Sequence, residues 1–113
     1  MKTTFTKKFN FSASFKRGEK ILGHNYVLGV VTDPLSESEE TALERSVRSL
    51  LIQKIDSRDL GMHVDFLKDT EISEVNLLKA FWGILEQGIQ PIALQSLFLE
   101  KDARSQVSIS KES

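Results

Sequence analysis

From residue 4 to residue 15 the chain alternates. Phe5, Phe9, Phe11, Ala13 and Phe15 share one parity, while Thr4, Thr6, Lys8, Asn10, Ser12 and Ser14 share the other. Side chains on a strand point to opposite faces in turn, so this spacing predicts an antiparallel strand with one face buried and one wet. Lys16-Arg17-Gly18-Glu19-Lys20 then reads as a turn. The apolar run Tyr26-Val27-Leu28-Gly29-Val30-Val31 lies in a second strand, about 21–32. The two form a hairpin with a loop of roughly five residues. A buried hairpin face needs a cover, and the rest of the chain has to supply it.

Asp33-Pro34 stops the second strand. Ser36 and Glu39 have the spacing of a capping box, a serine at the N-cap and a glutamate three later. Leu43, Val47, Leu50, Leu51 and Ile55 follow at helical intervals with the charges opposite, which predicts an amphipathic helix over 36–55. Ser57 to Gly61 reads as a loop and Met62 to Leu67 as a short extended piece. Asp69 or Thr70 can cap a second helix over 70–87, ended by Gly88 and Pro91. Its apolar residues, from Ile72 to Leu85, spread over about two-thirds of its circumference at helical geometry. Such a helix needs a second apolar neighbour, either the first helix or another subunit. Strands are expected at 92–101 and 105–110. The order predicts one α+β domain over residues 1–113: a four-stranded antiparallel sheet with two helices packed on one face.

Composition excludes several classes. The net charge of -1 gives no electrostatic case for nucleic acid or a membrane surface. With no cysteine there are no disulfides, thiolate metal sites or cysteine nucleophile. No apolar run reaches the ~18 residues of a membrane span, and the basic N-terminus lacks an apolar segment behind it, so a cytoplasmic protein is expected. Charge is uneven along the chain. Residues 2–20 carry six bases against Glu19, and residues 33–44 carry five acids and no base. These read as two solvated faces or as complementary surfaces between subunits.

Four short pieces carry a family resemblance: Phe11-Ser12-Ala13-Ser14-Phe15, Leu22-Gly23-His24-Asn25-Tyr26, Gly61-Met62-His63-Val64-Asp65-Phe66 and Leu97-Phe98-Leu99-Glu100. Their order and spacing resemble 6-pyruvoyl-tetrahydropterin synthase and its bacterial relative 6-carboxytetrahydropterin synthase. The resemblance implies the tunnelling fold, in which subunits join their sheets into a multimeric barrel and bind pterins or purines between subunits. It also implies three zinc-holding histidines. Two imidazoles in a His-x-His pair project to one strand face, the partner strand adds the third, and a fourth position stays open for catalysis. Here Phe15 stands at the first ligand position, Leu22 at the second and His24 at the third. Phenylalanine and leucine offer no lone pair, so His24 is the residual metal candidate and no zinc is expected.

Gly18 stands where the family has its catalytic cysteine, with Glu19 one position on. The family's Leu-Asp-His proton-relay motif is missing, and the helix at 36–55 stands where relatives have a short turn. Gly61 to Phe66 is similar to the family's Gly-Met-Val-Val-Asp-Phe. Ser73-Glu74 resembles part of Pro-Thr-Ser-Glu-Asn. Glu100 falls at the pterin-anchoring glutamate, where a carboxylate accepts two parallel N–H bonds from a pterin or purine edge.

The expectation is a divergent, oligomeric member without zinc or the ancestral lyase activity, holding a pterin or purine-like ligand at Glu100. The alternative is an active carbon–oxygen or carbon–carbon lyase of the pterin or deazapurine pathway with a rebuilt site. For that alternative the acid/base candidates are Glu19, His24, His63 and Glu100. A third reading is an unrelated α+β interaction module whose resemblance is accidental.

Overall fold

The computed structural model describes residues 1–17, 19–60, 64, 67, 72–102 and 104–111, with the side chains of Lys16, Arg17 and Leu22 set aside. Strand β1, Phe5–Arg17, pairs antiparallel with β2, Lys20–Thr32, in an unbroken ladder from Phe5↔Thr32 to Arg17↔Lys20. The ladder therefore closes over a two-residue connection, tighter than the five-residue loop expected. Two-residue loops match the twist of paired strands best. Phe9, Phe11, Ala13 and Phe15 are buried on one face with Tyr26, Leu28 and Val30 opposite them, as the alternation requires. The other face carries exposed Thr6, Lys8, Asn10, Ser12 and Asn25.

Helix α1 starts at Glu37 and runs as Glu37–Val47, continues through a wider π-type turn, Arg48–Ile52, and ends with Gln53–Ile55. Both arms of the capping box are present. The Ser36 N–H donates to Glu39 Oε1 at 3.0 Å, and the Glu39 N–H donates to Ser36 Oγ at 3.3 Å. The backbone bond from Ser36, helped by its hydroxyl, holds the Glu39 carboxyl below the usual carboxylate range. Leu43, Val47, Leu51 and Ile55 are fully buried. Each such side chain stabilises the fold by about 1.5–3 kcal/mol through apolar burial. The helix lies over β1, where Arg48 sits 5.6 Å from the Phe9 ring centroid and Lys7 Nζ lies 3.8 Å from Glu44 Oε2. The basic and acidic stretches of the sequence thus meet partly within one chain.

The expected loop after α1 holds a short strand, β3, Arg58–Asp59, parallel to β1 at Ala13 and Ser14. Two residues carry no period, so the sequence offers no signal for it. Ser57 turns the chain into it with a left-handed φ of 60°. Asp56 Oδ1 accepts the Ser12 N–H at 2.8 Å and covers that part of the β1 edge. Of the segment expected to be extended, Met62, His63, Asp65 and Phe66 lie outside the described residues. Val64 and Leu67 are buried, and the Leu67 N–H donates to the Val64 carbonyl at 3.0 Å.

Helix α2, Glu74–Gly88, is capped by Ser73, whose Oγ accepts the Asn76 N–H at 3.2 Å. This places the start later than the sequence suggests; Asp69 and Thr70 lie outside the described residues. Its second apolar neighbour is the first helix. Gly88 packs so closely on Leu50 that a Cβ there would overlap the leucine. Strands β4, Leu94–Asp102, and β5, Ser105–Ser110, lie under α2 and complete the order β3-β1-β2-β4-β5. The sheet has five strands rather than four, and both helices cover one face.

On the helix-free face, Gly29 lies under the Phe98 ring, and a Cβ built there would overlap three ring carbons. Glycine weakens a strand interior unless something close needs the space. Gly29→Ala is expected to force the Phe98 ring aside and lower stability by about 1–3 kcal/mol. Chemical unfolding of the variant measures this, and a loss within experimental error would show that the ring moves without cost.

Candidate functional site

The alternation of β2 sends His24 to the helix side of the sheet. It pairs with Ala13 on β1. The imidazole stands 6.4 Å from the Phe15 ring centroid and 5.7 Å from that of Tyr26, edge-on to the latter. Beneath the start of α2, these three rings with Leu77 and Ser73 line a cavity of about 130 Å³. Glu74 and Lys101 also line it. Phe15, Tyr26 and Leu77 are buried, whereas Lys101 is exposed and His24 and Glu74 half-exposed. The sequence reading singled out His24 and Ser73-Glu74 but not Lys101. Its parity with the buried Leu97 and Leu99 was the available signal, since all three fall on the helix side of β4.

Glu100 falls on the other parity. It pairs with Val27, and its Oε1 lies 3.9 Å from Lys8 Nζ on the helix-free face. The same Lys8 ammonium sits 5.9 Å from the Phe98 ring centroid. His24 and Glu100 therefore occupy opposite faces of the sheet within one chain. Glu19 is exposed beside the hairpin connection, five strand residues from His24 or roughly 16 Å along β2. His63 lies outside the described residues. The structure thus brings together none of Glu19, His24 and Glu100 as an acid/base pair within hydrogen-bond reach.

The donor set does not fit zinc. Beside His24, the residue at the first ligand position is Phe15, whose ring offers no lone pair, and Leu22 stands at the second. Among the described residues, no three histidine, aspartate or glutamate side chains gather as a metal-holding group. No described helix is long and apolar enough to cross a membrane.

A helix-covered antiparallel sheet built from two hairpins, with both helices between them in sequence, is the tunnelling-fold arrangement. Comparison with solved structures agrees. The chain matches 6-pyruvoyl tetrahydropterin synthase from Caenorhabditis elegans with a TM-score of 0.79 at 18% identity, over 97% of this chain and 96% of that one. It also matches an uncharacterized protein from Wolinella succinogenes with a TM-score of 0.68 at 9% identity, over 97% and 98% of the two chains. No protein-family model and no curated protein matches the chain. The chain thus has the fold of 6-pyruvoyl tetrahydropterin synthase.

Proposed function

We propose that this chain is a zinc-free relative of 6-pyruvoyl-tetrahydropterin synthase. In this reading it is an oligomeric binding protein that holds a pterin or purine-like ligand at Glu100 and lacks the ancestral lyase chemistry. The observation that carries the reading is the setting of His24. Its imidazole is fenced by the Phe15 and Tyr26 rings, where a catalytic zinc would need further lone pairs. Separation of His24 from Glu100 across the sheet, and of Glu19 from both, argues in the same direction. General acid/base catalysis needs its groups within hydrogen-bond reach of one substrate.

Assembly is supported by two stretches of strand edge left unpaired among the described residues. The carbonyls of Ser12 and Ser14 accept bonds from Ser57 and Leu60 on the outer side of β1, so even-numbered residues there point their backbone groups outward. That leaves Thr6, Lys8 and Asn10 as an open edge among the described residues. On β5, the Lys111 N–H donates inward to the Gln95 carbonyl. By alternation Gln106, Ser108 and Ser110 point outward. The four long strands alternate in direction, so β1 of one copy meets β5 of the next antiparallel. Repetition by rotation closes the sheet, which removes both exposed edges.

At the ligand site, Glu100 keeps a half-exposed carboxylate on the face that such a closed sheet turns inward. Its pair with Lys8 is solvent-exposed and adds little stability. That leaves the carboxylate available to a ligand's N–H edge. Fluorescence titration with neopterin is expected to show saturable binding, and Glu100→Gln is expected to weaken it by about tenfold or more, as for a charged hydrogen bond. Equal affinity in the two proteins would remove Glu100 from the reading.

A further inference from the structure

We infer that the groove between α2 and β5 seats Lys7 of a second copy of this chain, and that this contact fixes the register at which copies join. The inference rests on the assembly through β1 and β5 proposed above and adds which side chains meet there. The groove, of about 500 Å³, is lined by Lys79, Trp82 and Glu86 of α2 and by Ile109, Ser110 and Lys111 at the end of β5. Trp82 and Ile109 are only half-buried within the chain. The Trp82 indole N–H donates to Glu86 Oε2 at 2.9 Å, so ring and carboxylate are held side by side. Among the described residues Glu86 joins no ion pair. An aromatic ring beside an uncommitted carboxylate suits a cation on an aliphatic stem.

Backbone parity says which cation. The Ser12 N–H goes to Asp56, and the Ser12 and Ser14 carbonyls go to Ser57 and Leu60, so the open stretch of β1 ends at Asn10. One antiparallel register uses all three outward residues on each strand: Thr6 opposite Ser110, Lys8 opposite Ser108 and Asn10 opposite Gln106. All six lie on the helix-free face, because their odd-numbered neighbours pair with or stand among the buried core residues. The joined sheet therefore keeps the helices of both copies on one side. On that side the same register sets Phe9 opposite Val107 and Lys7 opposite Ile109. Directly opposite side chains have Cβ atoms about 4.5–5.5 Å apart. Lys7 thus enters the groove over Ile109, towards the Trp82 ring and the Glu86 carboxylate. Its ion pair within the chain, with Glu44 at 3.8 Å, is solvent-exposed and holds it weakly.

Trp82 is the one tryptophan of the chain, so its fluorescence reports on the groove. Acrylamide is expected to quench it about twofold less in the assembled protein than after dilution to the dissociated chain, because a seated partner excludes solvent. By sedimentation, Lys7→Glu and Glu86→Lys are each expected to weaken association about tenfold or more, since like charges then meet in the groove. The double variant restores opposite charges and is expected to regain most of the parent's affinity. Neither side chain is buried, so the variants keep the fold, which circular dichroism checks. Single variants that associate as the parent does would overturn the inference and leave the assembly standing. A double variant as weak as the singles, or equal quenching in the assembled and dissociated protein, would do the same. A monomeric parent would overturn the assembly and this inference with it.

Discussion

Phe81→Ala is expected to destabilise the fold by about 3–5 kcal/mol, the range for truncating a buried aromatic. Phe81 is fully buried near the middle of α2 and meets Phe11 of β1 edge-on, with ring centroids 6.3 Å apart and planes at 79°. Phe11 in turn stacks on Tyr26 of β2 at 5.1 Å. One ring therefore joins the helix layer to the central hairpin through an edge-to-face contact that adds to its apolar burial. Small domains are stable by only about 5–15 kcal/mol, so the loss is a large share of the whole. Urea unfolding at one fixed protein concentration measures it, because the proposed association would couple to apparent stability. A loss below about 1 kcal/mol would mean that the helix is free to collapse into the space, and that the central packing is not what couples the two layers.

The second large effect concerns assembly. If the proposed assembly through β1 and β5 holds, the parent sediments as a multimer and Ser108→Pro leaves a particle of the 12.8 kDa chain mass. Ser108 pairs with Phe98 at a position whose backbone groups face outward from β5, so proline there removes a donor that the intrachain ladder does not use. The preceding residue, Val107, is already in the extended conformation that a following proline demands. Sedimentation of the variant beside the parent, with circular dichroism to confirm the fold, decides the matter. A monomeric parent would contradict the proposed assembly, and a folded variant that keeps a multimeric mass found for the parent would show that β5 is not the joining edge.

Legibility in the sequence divides along physical lines. The hairpin, both helices and both C-terminal strands were readable because their apolar spacing repeats over many residues. Thirteen-residue strands and a fifteen-residue helix give a period room to declare itself. The two residues of β3 gave no such signal, and the hairpin turn was tighter than its charged composition suggested. Motif resemblance placed His24 and Glu100 correctly on strands but did not say which face each occupies. Face depends on parity relative to buried neighbours. Counting from Leu97 and Leu99 puts Lys101, not Glu100, beside His24. The cavity itself was illegible, because Glu74 and Lys101 meet His24 only through the crossing of α2 over the sheet.

Zinc content tests the central claim most directly. The protein would be purified without chelator, incubated with excess zinc, exchanged into metal-free buffer and measured by elemental analysis per subunit. Zinc far below one per subunit is the expected result, because Phe15 and Leu22 cannot join His24 as ligands. Near-stoichiometric zinc that is lost on His24→Ala would contradict it. That result would mean the site is completed by groups outside the set considered around His24, and would restore metal-dependent lyase chemistry as the leading function.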